Sequence, residues 1–446
     1  MRRKLLLVLA ASQLPVVIGS WLWFHTHHPL GNLLTGDASG MLLAWGRLSG
    51  LLLALAIFLQ LMLIGRIGWI ERAYGLDRLT RLHHVVGFML VGLLLAHPVL
   101  LAFGHAAQAD TGFWAQCRDF VVSWRGVLSA VVGAGLIGVS TAVSVAVLRR
   151  RVRYEAWYAA HLTLYAALGL TWLHQVAVGS DLTDHPAFKA YWCALVVFVF
   201  ANVALYRFVR PAVLFARHRF RVAGVGAETD EVTSVMIEGD AMPGFRVEAG
   251  QFLIVRFLAR GFWWEAHPFS VSNCPDGNGL RLSIKRVGDF TRRVPSLKPG
   301  TPVLVDGPHG CFTSARCASS KVLLVAGGIG ITPIRALAEE MIRDGRDVIL
   351  VYAGRSLAGL AFKRELDTLS ARSAGRMSVV YVLSGEPGWA GERGRVDGGR
   401  LARLAPDLRE RDVYLCGPHP LMRDLRRAVS ALGVPSARIH DERFAL

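Results

Sequence analysis

A chain of 446 residues with 53% hydrophobic and only 19% charged residues is too apolar for a wholly soluble enzyme, so part of it must lie in lipid. The formal net charge of +17 does not point to nucleic acid, because the basic residues cluster beside apolar runs and no nucleic-acid motif accompanies them. The six cysteines form no CxxC pair and no ferredoxin-type spacing, which argues against an iron–sulfur centre, and no EF-hand pattern supports calcium control.

Six apolar runs of near-spanning length fill the first half and are predicted as membrane helices near Leu5–Phe24, Leu42–Ile64, His83–Phe103, Val127–Leu148, Ala156–Val176 and Ala190–Val209. The first run starts like a signal peptide, with Arg2, Arg3 and Lys4, yet stays apolar through Trp21-Leu22-Trp23-Phe24. Small residues in the fourth run, Gly133, Gly135, Gly138, Ser140 and Ser144, let neighbouring helices come close. Arginines mark alternate connections: Arg66, Arg72, Arg78 and Arg81, then Arg149, Arg150, Arg151 and Arg153, then Arg207, Arg210, Arg217 and Arg219. The positive-inside rule therefore puts both termini and the second half in the cytosol, with the spans in the inner (cell) membrane.

Ionisable side chains inside spans are costly, and the third and fifth runs hold His83, His84, His97, His161 and His174. Fourteen positions from His83 to His97 return the two rings to within about 40° of one helix face and separate them by about 21 Å, most of the roughly 30 Å hydrocarbon thickness. Each helix thus offers one histidine near each leaflet, pairing His83 with His161 and His97 with His174. Two facing histidines can hold one haem iron from both sides, which fills the coordination sphere and favours electron transfer. The thirteen positions from His161 to His174 turn an ideal helix by about 220°, so tilt, a bulge or side-chain reach must compensate. His84 reads as interfacial. His25, His27, His28, His105 and His185 fall towards the opposite side, either as metal-gathering groups or as plain surface histidines.

After Arg219 short β-rich stretches broken by Pro243-Gly244 and Ala249-Gly250 predict a small antiparallel barrel. His267-Pro268-Phe269-Ser270-Val271-Ser272 is followed by Leu282 to Thr291, which includes Lys285. That order supplies an aromatic ring to lie on a flavin, a hydroxyl for its reactive nitrogen, then a cation and a hydroxyl for phosphate. The apolar strand Lys321 to Ala326 runs into Gly327-Gly328-Ile329-Gly330-Ile331-Thr332-Pro333 and a helix, the context in which glycines admit a pyrophosphate at a helix N-terminus. A second strand, Val348 to Tyr352, ends at Ala353-Gly354-Arg355-Ser356, where a cation can meet a ribose or its phosphate; Lys363 and Arg364 lean the reading towards NADPH unless they form a solvated helix face. Val413 to Leu415 ends in Cys416-Gly417-Pro418, a thiol at the ligand-binding edge or a simply buried cysteine.

These elements together resemble the NADPH oxidase and ferric reductase superfamily: the two histidine pairs, HPFS at 267–270, IKRVGDFT at 284–291, DGPHG at 306–310, AGGIGITP at 326–333, LCGP at 415–418 and ERF at 442–444. The resemblance implies a six-span transmembrane haem domain over residues 1–212, an FAD-binding barrel over 213–317 and an α/β NAD(P)-binding domain over 318–446. It implies that His267, Pro268, Phe269, Ser270 and Thr291, with Ser272 and Lys285, serve FAD. Gly327, Gly328, Gly330, Thr332, Pro333, Arg355, Ser356, Cys416, Gly417 and Pro418 would serve NADPH or NADH, and Phe444 would cover the flavin ring. The expected activity carries electrons from NAD(P)H through FAD and two b-type haems to oxygen, a ferric chelate or a periplasmic redox protein.

Overall fold

The computed structural model describes residues 2–27, 37–144 and 154–442, which fall into two compact units: residues 1–73 with 78–204, and residues 74–77 with 205–446. Phe444, His28 and the arginines at 149–151 and 153 lie outside the described residues.

The first unit is helical throughout. Its helices are α1 (Arg2–His27), α2 (Ala38–Ile64), α3 (Gly68–Tyr74), α4 (Leu76–Gln108), α5 (Phe113–Ser123), α6 (Val127–Ser144), α7 (Tyr154–Val178), α8 (Ser180–Thr183) and α9 (Pro186–Ala204). A helix thus stands at each of the six expected runs. Among the described residues, four are long and apolar enough to cross a membrane: Ala38–Ile64, Arg78–Gln108, Val127–Ser144 and Pro186–His218. The others, α1 and α7, mix histidine, glutamine and aromatic residues into their apolar runs, which lowers their hydropathy. The sequence places Asp37 where its carboxylate caps α2 by accepting from Ser39 N at 3.1 Å. Apolar side chains on α4 point outward, with Phe88 70% and Leu95 63% exposed, as expected where lipid takes the place of a core. Polar contacts fasten the helices: Trp21 Nε1 donates to Ala44 O at 2.8 Å, Tyr191 Oη to Gln13 Oε1 at 2.8 Å, and Trp192 Nε1 to Gln175 Oε1 at 3.2 Å.

Of the fourth-run glycines, only Gly133 is a contact point. A methyl there would meet Thr171 Cγ2 at 2.8 Å, whereas Gly135 and Gly138 have nothing within 4 Å. Close approach is also made by Gly46 and Gly50 of α2 and Gly104 of α4.

The second unit opens with a π-helical turn, Leu205–Val209, and α10 (Arg210–His218), which Arg219 ends in the left-handed region at φ 43°. Six strands follow: β1 (Arg221–Thr229), β2 (Val232–Glu238), β3 (Phe252–Phe257), β4 (His267–Ser270), β5 (Leu280–Lys285) and β6 (Val303–His309). They form two three-stranded antiparallel sheets, β1-β2-β5 and β4-β3-β6, linked by isolated bridges between Val271 and Leu282 and between Arg221 and Pro302. Phe220, Val235, Leu253, Phe257, Leu282 and Val305 fill the space between them. The short α11 (Asp289–Arg293) lies between β5 and β6.

Then β7 (Lys321–Gly327), β8 (Asp347–Gly354), β9 (Met377–Leu383), β10 (Glu392–Arg393), β11 (Asp412–Cys416) and β12 (Ile439–Glu442) alternate with α12 (Ile331–Arg343), α13 (Lys363–Arg372), α14 (Gly398–Leu404) and α15 (His419–Ala431). All pairings in this six-stranded sheet are parallel, in the order β10-β9-β8-β7-β11-β12. Such a sheet is covered on both faces, which is why β7 and β11 read as unbroken apolar runs instead of alternating ones.

Candidate redox sites

In the helical unit, α4 carries His83 and His97 and α7 carries His161 and His174. The ring centres of His83 and His161 are 6.3 Å apart, and those of His97 and His174 are also 6.3 Å apart. A nitrogen–metal bond of about 2 Å on each side, plus roughly 1 Å from each nitrogen to its ring centre, puts two rings on opposite sides of one ion about 6 Å apart. Both pairs have that separation. Among the described residues no cluster of three or more His, Cys, Asp or Glu side chains can hold a bare metal ion, so the pairs suit an ion whose remaining ligands arrive with a cofactor.

The surroundings orient the rings. Gly46 O accepts from His97 Nδ1 at 2.8 Å, which fixes the proton on Nδ1 and leaves the Nε2 lone pair able to ligate a metal. Gly50 makes room for this ring, since a methyl there would lie 2.5 Å from His97 Cε1. Ser140 Oγ lies 3.5 Å from His161 Nδ1, while the buried Nδ1 atoms of His83 and His174 have no hydrogen-bond partner. Helix α7 runs as an unbroken α-helix over Tyr154–Val178, so no bulge realigns His161 and His174. His84 is exposed. His25, by contrast, is a buried residue and not a surface one: its Nδ1 meets Trp21 O at 2.9 Å and its Nε2 lies 3.9 Å from Asp181 Oδ1. His185 stacks on Phe24 at 3.5 Å and His105 packs edge-on against Trp124, so neither joins a metal cluster among the described residues.

In the antiparallel sheets β4 carries the HPFS segment. Ser270 is buried and its Oγ has no hydrogen-bond partner, which leaves a hydroxyl available to a ligand. Pro268 is exposed, and Phe269 is half-buried against the sheet core. His267 packs on Phe290 at 4.1 Å with Nε2 3.3 Å from Glu265 Oε2; burial pushes its pKa below the ordinary value, against the pull of that carboxylate. Three expected ligand groups are otherwise engaged. Ser272 is fully buried, donating to Arg281 O at 3.0 Å beside Ser283 Oγ at 2.8 Å, which ties it into the sheet. Thr291 Oγ1 accepts from Val287 N and Gly288 N at 2.8 and 2.9 Å and thereby shapes the turn. Lys285 Nζ pairs with Glu231 Oε2 at 3.1 Å.

In the parallel sheet the strands run from β7 to β10 on one side and from β11 to β12 on the other, so the order reverses between β7 and β11. The crevice beyond the carboxyl ends of strands at such a reversal is where this architecture binds ligands. Ala326 pairs with Cys416 there, which brings the Gly327–Gly330 loop and the Cys416-Gly417-Pro418 turn to the same edge. The glycines also serve packing: a methyl on Gly330 would run into the Cys416 carbonyl, and one on Gly327 would meet Leu421 at 2.5 Å and Pro418 at 3.0 Å. Gly328 takes φ +56°, the left-handed conformation that glycine tolerates. Thr332 donates to Ile329 O at 3.0 Å, and the buried Pro333 sits in the first turn of α12, where a missing amide costs nothing. Arg355 is exposed just beyond β8 and Ser356 beside it is half-buried. Lys363 is held by Asp367 at 2.6 Å, which favours the helix-face reading for that residue.

Sequence reasoning missed two features. Gly46 and Gly50, four residues apart on α2, are a small-residue pair whose spacing could have flagged a helix contact. The ion pairs joining β5 to α12 and α13 left no local signal.

Three family models match in chain order: Ferric reductase like transmembrane component at residues 46–172, FAD-binding domain at 217–312 and Oxidoreductase NAD-binding domain at 324–427. With the helical unit and the two sheets they define an oxidoreductase with a membrane component and an FAD- and NAD-binding reductase module. That arrangement matches the architecture of the NADPH oxidase and ferric reductase superfamily.

Relatives match over about half of this chain. An NADPH oxidoreductase of Mycobacterium tuberculosis is 29% identical over 237 residues, covering 51% of this chain and 60% of the relative. A flavohemoprotein of Bordetella pertussis is 31% identical over 245 residues, covering 50% and 60%. The chain thus spans about three-fifths of these curated relatives' length. The solved flavohem-like FAD/NAD binding domain of nitric oxide dioxygenase from Vibrio cholerae is 25% identical, with TM-score 0.46, covering 51% of this chain and 99% of that one.

Proposed function

We propose that the protein is a transmembrane NAD(P)H oxidoreductase that sends electrons from a cytosolic flavin through two b-type haems to an acceptor on the outer face of the inner membrane. The observation that carries this reading is the pair of histidine couples at 6.3 Å, one at each level of the same two helices. FAD, when bound, takes two electrons together from a hydride and releases them singly, which suits haem irons that accept one at a time.

The residues divide the work. Gly327, Gly328 and Gly330 bring backbone amides to the nucleotide pyrophosphate, and the N-terminus of α12 favours its negative charge. Arg355 and Ser356 meet the adenosine ribose or its 2′-phosphate, which favours NADPH over NADH. Cys416 and Gly417 close the nicotinamide side of the crevice. Ser270 directs its hydroxyl at the reactive edge of the flavin, with His267, Pro268 and Phe269 along the same strand. His83 with His161, and His97 with His174, clamp the two haems. Six spans with arginine-rich connections on one side keep both termini in the cytosol. Domain boundaries fall near residues 212 and 317.

Oxygen, reduced to superoxide, is the acceptor we favour, because filled iron coordination passes electrons outward without binding a substrate. A ferric chelate or a periplasmic redox protein is the alternative. The test supplies NADPH or NADH to purified, haem-loaded protein while flavin and haem absorbance are followed with superoxide and ferrous-iron traps present. Flavin bleaching, then haem reduction, then a superoxide signal is expected. Protein without paired b-type bands would overturn the haem reading, and reduced haem with both traps silent would favour a protein partner.

A further inference from the structure

We infer that Glu365 is a positioning residue for hydride transfer, tying the strand segment that bears the flavin-facing hydroxyl to the helix that bears the nucleotide loop. The inference rests on the reading that FAD and NAD(P)H bind this half of the chain, and it is independent of the haems.

Glu365 lies on α13, yet it takes both arms of Arg281 from β5: Nη1 donates to Oε1 at 2.6 Å and Nη2 to Oε2 at 2.9 Å. On its other side Arg335 Nε of α12 stands 2.9 Å from Oε2 as an ion pair. Arg335 Nη1 then donates to Glu339 Oε2 at 2.5 Å, and the same oxygen accepts from Cys274 N at 3.2 Å. Arg281 is held as well as charged. It is 9% exposed, lies 4.5 Å over the Phe362 ring, and donates through Nε to Ser272 Oγ and through Nη2 to Ser272 O, both at 3.2 Å. Arg335 Nη1 also reaches Ser272 O at 3.4 Å.

The two ends of this network sit beside the two candidate ligand sites. Ser272 is two residues beyond Ser270, and Arg335 is five residues beyond Gly330. Hydride transfer needs its carbon and nitrogen within roughly 3–3.5 Å, and a misplacement of about 1 Å can cost about a hundredfold in rate. Groups that set the distance between the antiparallel and parallel sheets therefore govern rate more than affinity. Burial disfavours the Glu365 carboxylate, but Arg281 and Arg335 outweigh it and hold its pKa below the usual range, so it is charged at neutral pH. Removing that charge leaves two guanidinium groups facing a neutral side chain.

The experiment uses the full chain in detergent with Glu365→Gln and Glu365→Asp, each matched for FAD content. Anaerobic flavin bleaching is followed with NADPH and with NADPH deuterated at the transferred hydrogen. In Glu365→Gln the limiting bleaching rate should fall by about tenfold, the half-saturating nucleotide concentration should change by less than about twofold, and the primary isotope effect should rise. Glu365→Asp should recover part of the rate. An unchanged isotope effect, with a rate loss that only tracks missing flavin, would overturn the inference. If Glu365→Gln fails to hold FAD, Glu365→Asp decides alone: parental rate and isotope effect would again overturn it. Failure of the unmodified chain to bleach at all would instead strike the cofactor reading.

Discussion

The two halves of this molecule build their redox sites from opposite materials. In the helical unit the proposed chemistry rests on four imidazole side chains, and the backbone is closed on itself in helical hydrogen bonds, as a hydrocarbon setting demands. In the second half the proposed ligand-facing groups are largely backbone, presented by glycines at the carboxyl edge of a parallel sheet whose core residues, such as Leu324 and Leu415, are fully buried. The difference follows from solvent. Water sorts apolar from polar side chains and so drives sheet and helix together, whereas lipid rewards neither face of a helix and leaves packing to small residues and specific polar contacts. Glycine therefore plays two parts here. Gly50 gives a side chain room, and Gly330 lets two backbone segments touch.

The largest expected effect probes the side-chain half. His97→Ala should remove one of two haems and abolish electron delivery to the outer acceptor, while flavin bleaching by NAD(P)H proceeds at the parental rate; haem content and the two reductions are read by absorbance. Retention of both haems would end the pairing of His97 with His174.

A methyl placed on the backbone half should act on the donor side alone. Gly330→Ala forces the loop off the Cys416 carbonyl, so flavin reduction should slow by about a hundredfold with haem content unchanged, because the nucleotide is displaced from its near-attack position. Stopped-flow bleaching and haem quantitation on the same sample check this.

The smallest and sharpest contrast lies within the helical unit. Alanine favours a helix over glycine by up to about 1 kcal/mol, so Gly135→Ala, with nothing within 4 Å, should be neutral or slightly stabilising in thermal unfolding. Gly50→Ala gains the same propensity but meets His97 at 2.5 Å, and should lose haem from that level several-fold. Equal behaviour of the two variants would mean that the His97 ring is not held by the glycine.

Much of the architecture was legible in the chain itself. Apolar runs announce helices, the strand-to-glycine-to-helix order at Lys321–Thr332 announces the parallel sheet, and four histidines repeat at nearly equal intervals on two runs. These are local signals, because the period and composition of a segment report the surroundings it must satisfy. Among the expected FAD residues, local reasoning did not show which side chains are bonded within the fold. Ser270 and Ser272 stand two positions apart and look alike in sequence, yet one hydroxyl is unpartnered and the other is bonded into the sheet. Lys285 and Thr291 are likewise committed to Glu231 and to their own turn. Helical rotation alone set His161 and His174 about 220° apart, yet in the folded unit both rings meet partners at one distance, 6.3 Å. Arg281 and Glu365 are 84 positions apart, and nothing near either residue names the other. What the sequence determined by itself is the environment of each segment. Which side chains meet across segments was decided only in three dimensions, because contact between residues distant in the chain depends on how whole faces pack.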